Sequence, residues 1–246
     1  MIRLQASAVL AVRDGYSGRP IVASTVQCFL DGQRVLPQYR QGGYLVFLNL
    51  TEGPHELLLR GGYYQDEWIH FKTGGNLLVE CDVTLKPSAS YPFRQEITQL
   101  AVRLEEQDAP GDLWIAPQKV AWELRLSQDE APAGSQALKV FYRGGPEGHP
   151  RSSYLICDKN KSEVVVLTSL DEERAQLEAP LSHSHRRGAI LLPAQCYHPN
   201  EKGWVQAFFQ ELEQVYLFQP KSKKCNSFSL QKGYNEITLS NAQKKE

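Results

Sequence analysis

The sequence predicts a mostly-β protein of two β-sandwich-like modules with at most short helices. Three observations predict it. First, clusters of Gly, Pro, Asn and Asp recur every eight to fifteen residues or so, with β-branched and aromatic runs between them. Second, those runs alternate with period two. Over residues 76–86, Leu77, Val79, Cys81, Val83 and Leu85 share one face while Glu80, Asp82 and Thr84 share the other, as in a half-buried antiparallel strand. Third, 246 residues with 41% hydrophobic and 22% charged side chains fit a folded chain long enough for two cores.

In the first module, strands are expected at 4–13, 21–30, 44–50, 55–60, 67–72 and 77–85. The apolar run at the N-terminus alternates and passes directly into turn residues, so it reads as a first strand rather than a cleavable signal peptide. Asp31 and Gly32 form a hairpin signal, because glycine accepts positive φ without a Cβ clash. Within 44–50, Leu45 and Phe47 face one side and Tyr44, Val46 and Leu48 the other. Pro87 and Pro92 then interrupt a polar stretch that cannot continue a ladder. The expected organisation is a first module at 1–86, a linker at 87–94 and a β-rich second domain at 95–246.

The second domain shows strand patterns at 96–104, 120–126, 137–142, 152–157, 163–169 and 188–192. The Gly- and Pro-rich stretch 144–150 reads as an exposed loop, and the last seven residues as a frayed end. Acidic residues crowding the start of 170–178 predict a short helix there. Residues 203–218 fit both a helical face (Val205, Phe208, Leu212, Val215) and a strand or hairpin face (Trp204, Phe208, Leu212, Tyr216, Phe218); the β context favours strand.

The first module carries an ordered set of signals. Asp14, Gly18 and Pro20 follow the first strand; Gly42, Tyr44 and Phe47 open a later one; Leu50, Gly53, His55 and Leu57 lead to Gly62 and Tyr63. This series resembles the carboxypeptidase regulatory-like and collagen-adhesin B-type modules, which have a transthyretin-like (prealbumin-like) or immunoglobulin-like β-sandwich. The resemblance covers about the first third of the chain and implies a scaffold rather than an activity. Some such modules form lysine–asparagine isopeptide bonds. Here the first strand holds no lysine, and Lys72 and Lys86 come late, so the resemblance does not extend to that crosslink.

Composition and motifs exclude much chemistry. With 27 basic against 28 acidic residues there is no positive excess to neutralise phosphates, so no nucleic-acid partner is expected. No apolar run reaches membrane-helix length, and no membrane insertion is expected. The G-x-S-x-G, H-E-x-x-H, phosphate-loop and dinucleotide fingerprints do not occur. Cofactors are therefore expected to be none. Five cysteines at 28, 81, 157, 196 and 225, without a C-x-x-C pair, read as reduced thiols in a cytoplasmic protein. Cys28 and Cys81 admit a disulfide across the sandwich or, more simply, two buried small hydrophobes.

Two sets of side chains are candidate sites. His183, His185, Cys196 and His198 form two x-spaced pairs that a folded-back strand could gather into a zinc site. Arg186 and Arg187 oppose a cation there, and no carboxylate stands nearby in sequence; the alternative is a polar loop with a packed cysteine. Tyr63, Tyr64 and Trp68 cluster beside a Gly-rich turn, where aromatics can stack on sugars or anchor a protein neighbour, or else pack the core.

The function expected is that of a non-enzymatic structural or adaptor subunit that binds other protein subunits, as in a phage-tail-like or contractile injection particle later released from the cell. The alternatives are a carbohydrate-binding or adhesive module using the loop aromatics, and a metal- or cysteine-dependent enzyme built on 183–198.

Overall fold

The computed structural model describes residues 5–74, 78–93, 95–105, 111–120, 123–143, 152–158, 161–171, 173–210 and 214–240. Among these there is no α-helix and little 3-10 structure, such as the turn at Ala23–Thr25, so the protein is nearly all β. Its contacts divide it into two compact units. The first holds Met1–Glu96 with Ala207–Gln210, and the second holds Ile97–Gln206 with Glu211–Glu246.

The first unit is a β-sandwich. Its strands are β1 (Ala6–Asp14), β2 (Gln27–Leu30), β3 (Gln33–Val35), β4 (Gln38–Arg40), β5 (Tyr44–Leu48), β6 (Gly53–Arg60), β7 (Glu67–Thr73) and β8 (Val79–Leu85). One sheet runs β4-β5-β1-β8 and the other β3-β2-β6-β7. Alternation supplies the filling: Ala8, Leu10 and Val12 of β1, Leu45 and Phe47 of β5, and Cys81, Val83 and Leu85 of β8 come from one sheet. Cys28 and Leu30 of β2 and Leu57 and Leu59 of β6 come from the other. Parallel pairing of β1 with β8 puts Leu10 opposite Cys81 and Val12 opposite Val83. The β2–β3 hairpin closes through Asp31 (φ 51°) and Gly32 (φ 79°), the left-handed pair that a two-residue turn needs to match strand twist.

The second unit contains a closed barrel. Six strands form it: β11 (Glu123–Leu126), β13 (Ala137–Arg143), β14 (Ser152–Ile156), β15 (Glu163–Asp171), β16 (Arg174–Leu177) and β18 (Ile190–Pro193), in the order β11-β13-β16-β15-β14-β18. Five of the strands send an i, i+2 pair of side chains inward, Leu124 and Leu126, Leu138 and Val140, Tyr154 and Ile156, Val165 and Leu167, and Ala175 and Leu177, and β18 sends Leu191. A register shift between Leu167 and Ser169 supplies a local bend that closure requires. Residues of opposite parity, Leu155 and Leu192, face outward and pack with Ala116 and Phe218. Those two belong to β10 (Leu113–Pro117) and β21 (Gln214–Gln219), which form a sheet with β19 (Gln195–Tyr197) and β22 (Lys224–Ser229) in the order β19-β10-β21-β22. Alternation alone does not distinguish a barrel from an open sandwich. Two short strands, β12 (Glu130–Ala131) and β17 (His185–Arg186), pair beside the barrel. Strand β9 (Thr98–Glu105) pairs in parallel with the last strand, β23 (Gly233–Ser240).

The helix expected at 170–178 is overturned. Leu170 pairs with Ala175 and Asp171 with Arg174, so this segment is the β15–β16 hairpin. A helix that short is marginal on its own, whereas a strand buries Ala175 and Leu177 in the barrel. Asp171 and Glu173 instead flank the reversal between the two strands. In the ambiguous segment, β20 (Trp204–Phe209) and β21 are strands. The loop expected at 144–150 and the tail after Ser240 lie outside the described residues.

Replacing Phe47 by Ala should lower the stability of the first unit by about 3–5 kcal/mol, the usual cost of emptying a buried phenylalanine site. Val46→Ala, on the less buried side of β5, should cost clearly less. Urea titration of the full chain, followed by hydrogen exchange in β1 and β5, measures the difference. Equal losses would contradict the assigned facing of β5.

Candidate functional site

The proposed four-ligand cluster is divided by the fold. His185 lies on β17, paired to β12, whereas Cys196 lies on β19, paired to β10. His185 is fully buried, with Nε2 2.9 Å from Glu163 Oε1 and Nδ1 3.3 Å from Asp158 Oδ2. His183 reaches the same carboxylate through its backbone N–H, at 2.9 Å. Cys196 and His198 do come together, with Asp112 as the third member, all three donor atoms lying within 4.8 Å of one another. The expectation that no carboxylate stands near these groups is corrected twice, by Glu163 with Asp158 and by Asp112. Their sequence separations, 22, 27 and 86 residues, hid them.

The Asp112, Cys196, His198 group is exposed on two of its three members. His198 Nδ1 sits 2.8 Å from Asp112 Oδ1, within hydrogen-bond distance. One thiol, one imidazole and one carboxylate are zinc-type donors. With only three of them, a fourth tetrahedral position would fall to solvent, as in open rather than structural zinc sites.

Elsewhere, ionisable groups hold loops in place. Asp14, at the end of β1, is buried and receives four hydrogen bonds. The N–H groups of Tyr16 and Ser17 donate to Oδ1 at 2.8 and 2.7 Å, and the hydroxyls of Tyr64 and Tyr91 donate to Oδ2 at 2.7 Å each. Burial pushes the Asp14 pKa up, but the bonds from Tyr91, Ser17, Tyr64 and Tyr16 outweigh it and hold the carboxyl below its ordinary value. Glu163 repeats the arrangement. It accepts the N–H groups of Ser182 (2.7 Å) and His183 as well as the His185 ring. Burial raises its pKa, and the bonds from His185, Ser182 and His183 bring it below the ordinary value.

Asp31 forms the third anchor. Its Oδ1 accepts the Glu56 N–H at 2.9 Å, and its Oδ2 lies 2.8 Å from Nδ1 of the buried His55, whose Nε2 faces the Thr51 carbonyl at 2.9 Å. A carboxylate on one nitrogen and a carbonyl on the other call for two donors, the imidazolium form. Burial lowers the His55 pKa, but Asp31 and the Thr51 carbonyl win, and the net shift is upward. Lys86 is likewise buried and pairs with Glu67 at 2.5 Å.

The three aromatics fare differently. Tyr64 is half-buried and committed to Asp14, which with burial pushes its hydroxyl pKa well up. It is therefore a structural residue, and its expected place in a binding surface is corrected. Tyr63 and Trp68 are 49% and 47% exposed, Trp68 on β7, the terminal strand of its sheet.

No protein-family model matches the chain, and no curated protein matches it in sequence. Solved structures aligned to it include BcpA, the major pilin subunit of Bacillus cereus (8% identity, 97% of this chain and 99% of that one, TM-score 0.26). A DUF3823 family protein from Bacteroides ovatus aligns at 12% identity over 92% of this chain and 98% of its own, TM-score 0.26. The Bacillus anthracis TIE protein aligns at 10% identity over 96% of this chain and 50% of its own, TM-score 0.26. At these TM-scores the likenesses carry no argument about fold, activity or ancestry.

The His55 shift sets a pH dependence. A histidine whose folded pKa lies above 6.5 contributes its full stabilisation below pH 6.5 and loses it as pH rises through the raised value. Asp31, whose folded pKa lies below 3.8, contributes above pH 3.8 and loses its share as pH falls through the lowered value. The destabilisation caused by His55→Gln should therefore be largest near pH 5–6 and shrink towards pH 9, as read by urea midpoints of variant and wild type. A gap that stays constant over that range would contradict the imidazolium assignment.

Proposed function

We propose that this chain is a non-enzymatic structural module that docks onto other protein subunits through the edge of its first sandwich. The observation that carries the reading is Trp68, half exposed on β7 where the sheet order ends. A terminal strand offers main-chain N–H and C=O groups to an incoming strand, and a neighbouring aromatic supplies an apolar anchor. Trp68, His70 and Lys72 occupy the exposed face of β7, with Leu58 opposite Trp68 on β6. Tyr63 extends the aromatic surface ahead of the strand.

The non-enzymatic part is supported by how reactive side chains are used. The buried imidazoles His55 and His185 are bound to carboxylates and loop backbone, and the buried Asp14 and Glu163 hold turns. The finer assignment to the carboxypeptidase regulatory-like and transthyretin-like modules is supported by Asp14 and Gly18 (φ 69°) at the turn after β1. Assembly in the cytoplasm, within a phage-tail-like or other particle, is the finest form of this reading, and the free cysteines support it.

A photo-crosslinking amino acid at position 63 or 68 should trap one discrete protein partner, while the same residue at 141, exposed on the barrel unit, should not. Trp68→Ala should weaken binding of that partner at least tenfold with the melting temperature unchanged. Crosslinking from 141 alone, glycan binding lost on Trp68→Ala, or turnover of a small substrate by the purified chain would overturn the proposal.

A further inference from the structure

Two of the five cysteines meet in the fold although 68 residues separate them. Cys157 immediately follows β14, a barrel strand, and Cys225 lies on β22, the terminal strand of the neighbouring sheet in the same unit. Their Sγ atoms are 3.6 Å apart, within thiol hydrogen-bond range. Both residues are partly exposed, so a small reagent can reach them, whereas Cys28 and Cys81 are buried in the core of the other unit.

We propose that Cys157 and Cys225 are a modification site: a thiol pair that closes to an intramolecular disulfide on reaction with a low-molecular-weight disulfide such as oxidised glutathione. Closure requires the sulfurs to approach by about 1.5 Å, from contact to the ~2.05 Å of a bond, a movement on the scale of side-chain rotation.

The surroundings assign the roles. A hydrogen bond from Cys225, with others from Ser162 and Tyr216, lowers the Cys157 thiol to about 7 against the opposing effect of burial. The Cys225 thiol is shifted upward, chiefly by Cys157. In this proposal Cys157 is the attacking thiolate and Cys225 the resolving thiol. The Cys157 sulfur attacks one sulfur of the reagent, forms a mixed disulfide and expels one thiolate, which takes a proton from solvent. Cys225 then loses its proton and attacks the Cys157 sulfur, forming the protein disulfide and expelling the second thiolate. The chain gives up two protons and two electrons, together two hydrogen atoms, and one reagent disulfide becomes two thiols.

The bond would tie the end of a barrel strand to the edge of the sheet that packs on the barrel through Leu155, Leu192 and Phe218. Cross-linking sites so distant in sequence restricts the unfolded chain, so the oxidised form should melt higher than the reduced one.

The test treats the reduced full chain with oxidised glutathione, quenches in acid and measures intact mass, then alkylates the remaining thiols in denaturant and maps non-reduced peptides. The expected product is two hydrogens lighter before alkylation, takes up three alkyl groups on the original five cysteines, contains a Cys157–Cys225 peptide pair and reverts with dithiothreitol. The Cys225→Ser variant, lacking the resolving thiol, should stop at a stable glutathione adduct on Cys157. A stable adduct in the wild type, pairing of any other two cysteines, or five unreacted thiols would overturn the proposal. An adduct absent from Cys157 in Cys225→Ser would overturn the assignment of Cys157 as the attacking group.

Discussion

A carboxylate that accepts loop N–H groups is the interaction on which both units depend. An all-β chain must return its direction many times, and each return leaves backbone donors without ladder partners. Asp14 takes up two such donors after β1, Asp31 one on β6, and Glu163 two in the loop before β17. Each carboxylate also binds a side chain from elsewhere: Tyr64 and Tyr91, His55, and His185. The loops are thereby fixed to the sheets by charge-assisted bonds, which are stronger than neutral ones. Removing one partner would leave the others buried and unpaired, the costly direction of change.

The same use of charge bears on function. Histidine and carboxylate in contact is the raw material of acid–base chemistry, yet in His55 and His185 both ring nitrogens already face acceptors. Such rings brace structure. Other side chains reach solvent: Tyr63 and Trp68 in the first unit, and in the second the Cys157–Cys225 pair and the Asp112, Cys196, His198 group.

Local patterns in the sequence marked much of the fold. Alternation identified the strands that fill the sandwich, and it placed Cys81, Val83 and Leu85 on one face of β8. Asp31 and Gly32 announced their hairpin because a left-handed turn leaves few residue choices. Asp14 stood in the turn signal after β1, but its bonds to Tyr64 and Tyr91, 50 and 77 residues on, have no local signature. The same holds for Glu163 under His185 and for Asp112 beside His198. The helix expected at 170–178 failed because the local acidic cue was weaker than burial of Ala175 and Leu177 in a closing barrel. Tyr64 looked like its neighbour Tyr63, and only the position of Asp14 separates a half-buried, hydrogen-bonded phenol from an exposed one.

The most direct measurement is the titration of the Asp14 and Glu163 carboxyls by carbon NMR, alongside the folded signal of each unit. Both should titrate below their ordinary values of 3.8 and 4.5, and each unit should lose structure as its own carboxylate takes up a proton. Titration at or above those values, with the unit still folded, would contradict the account.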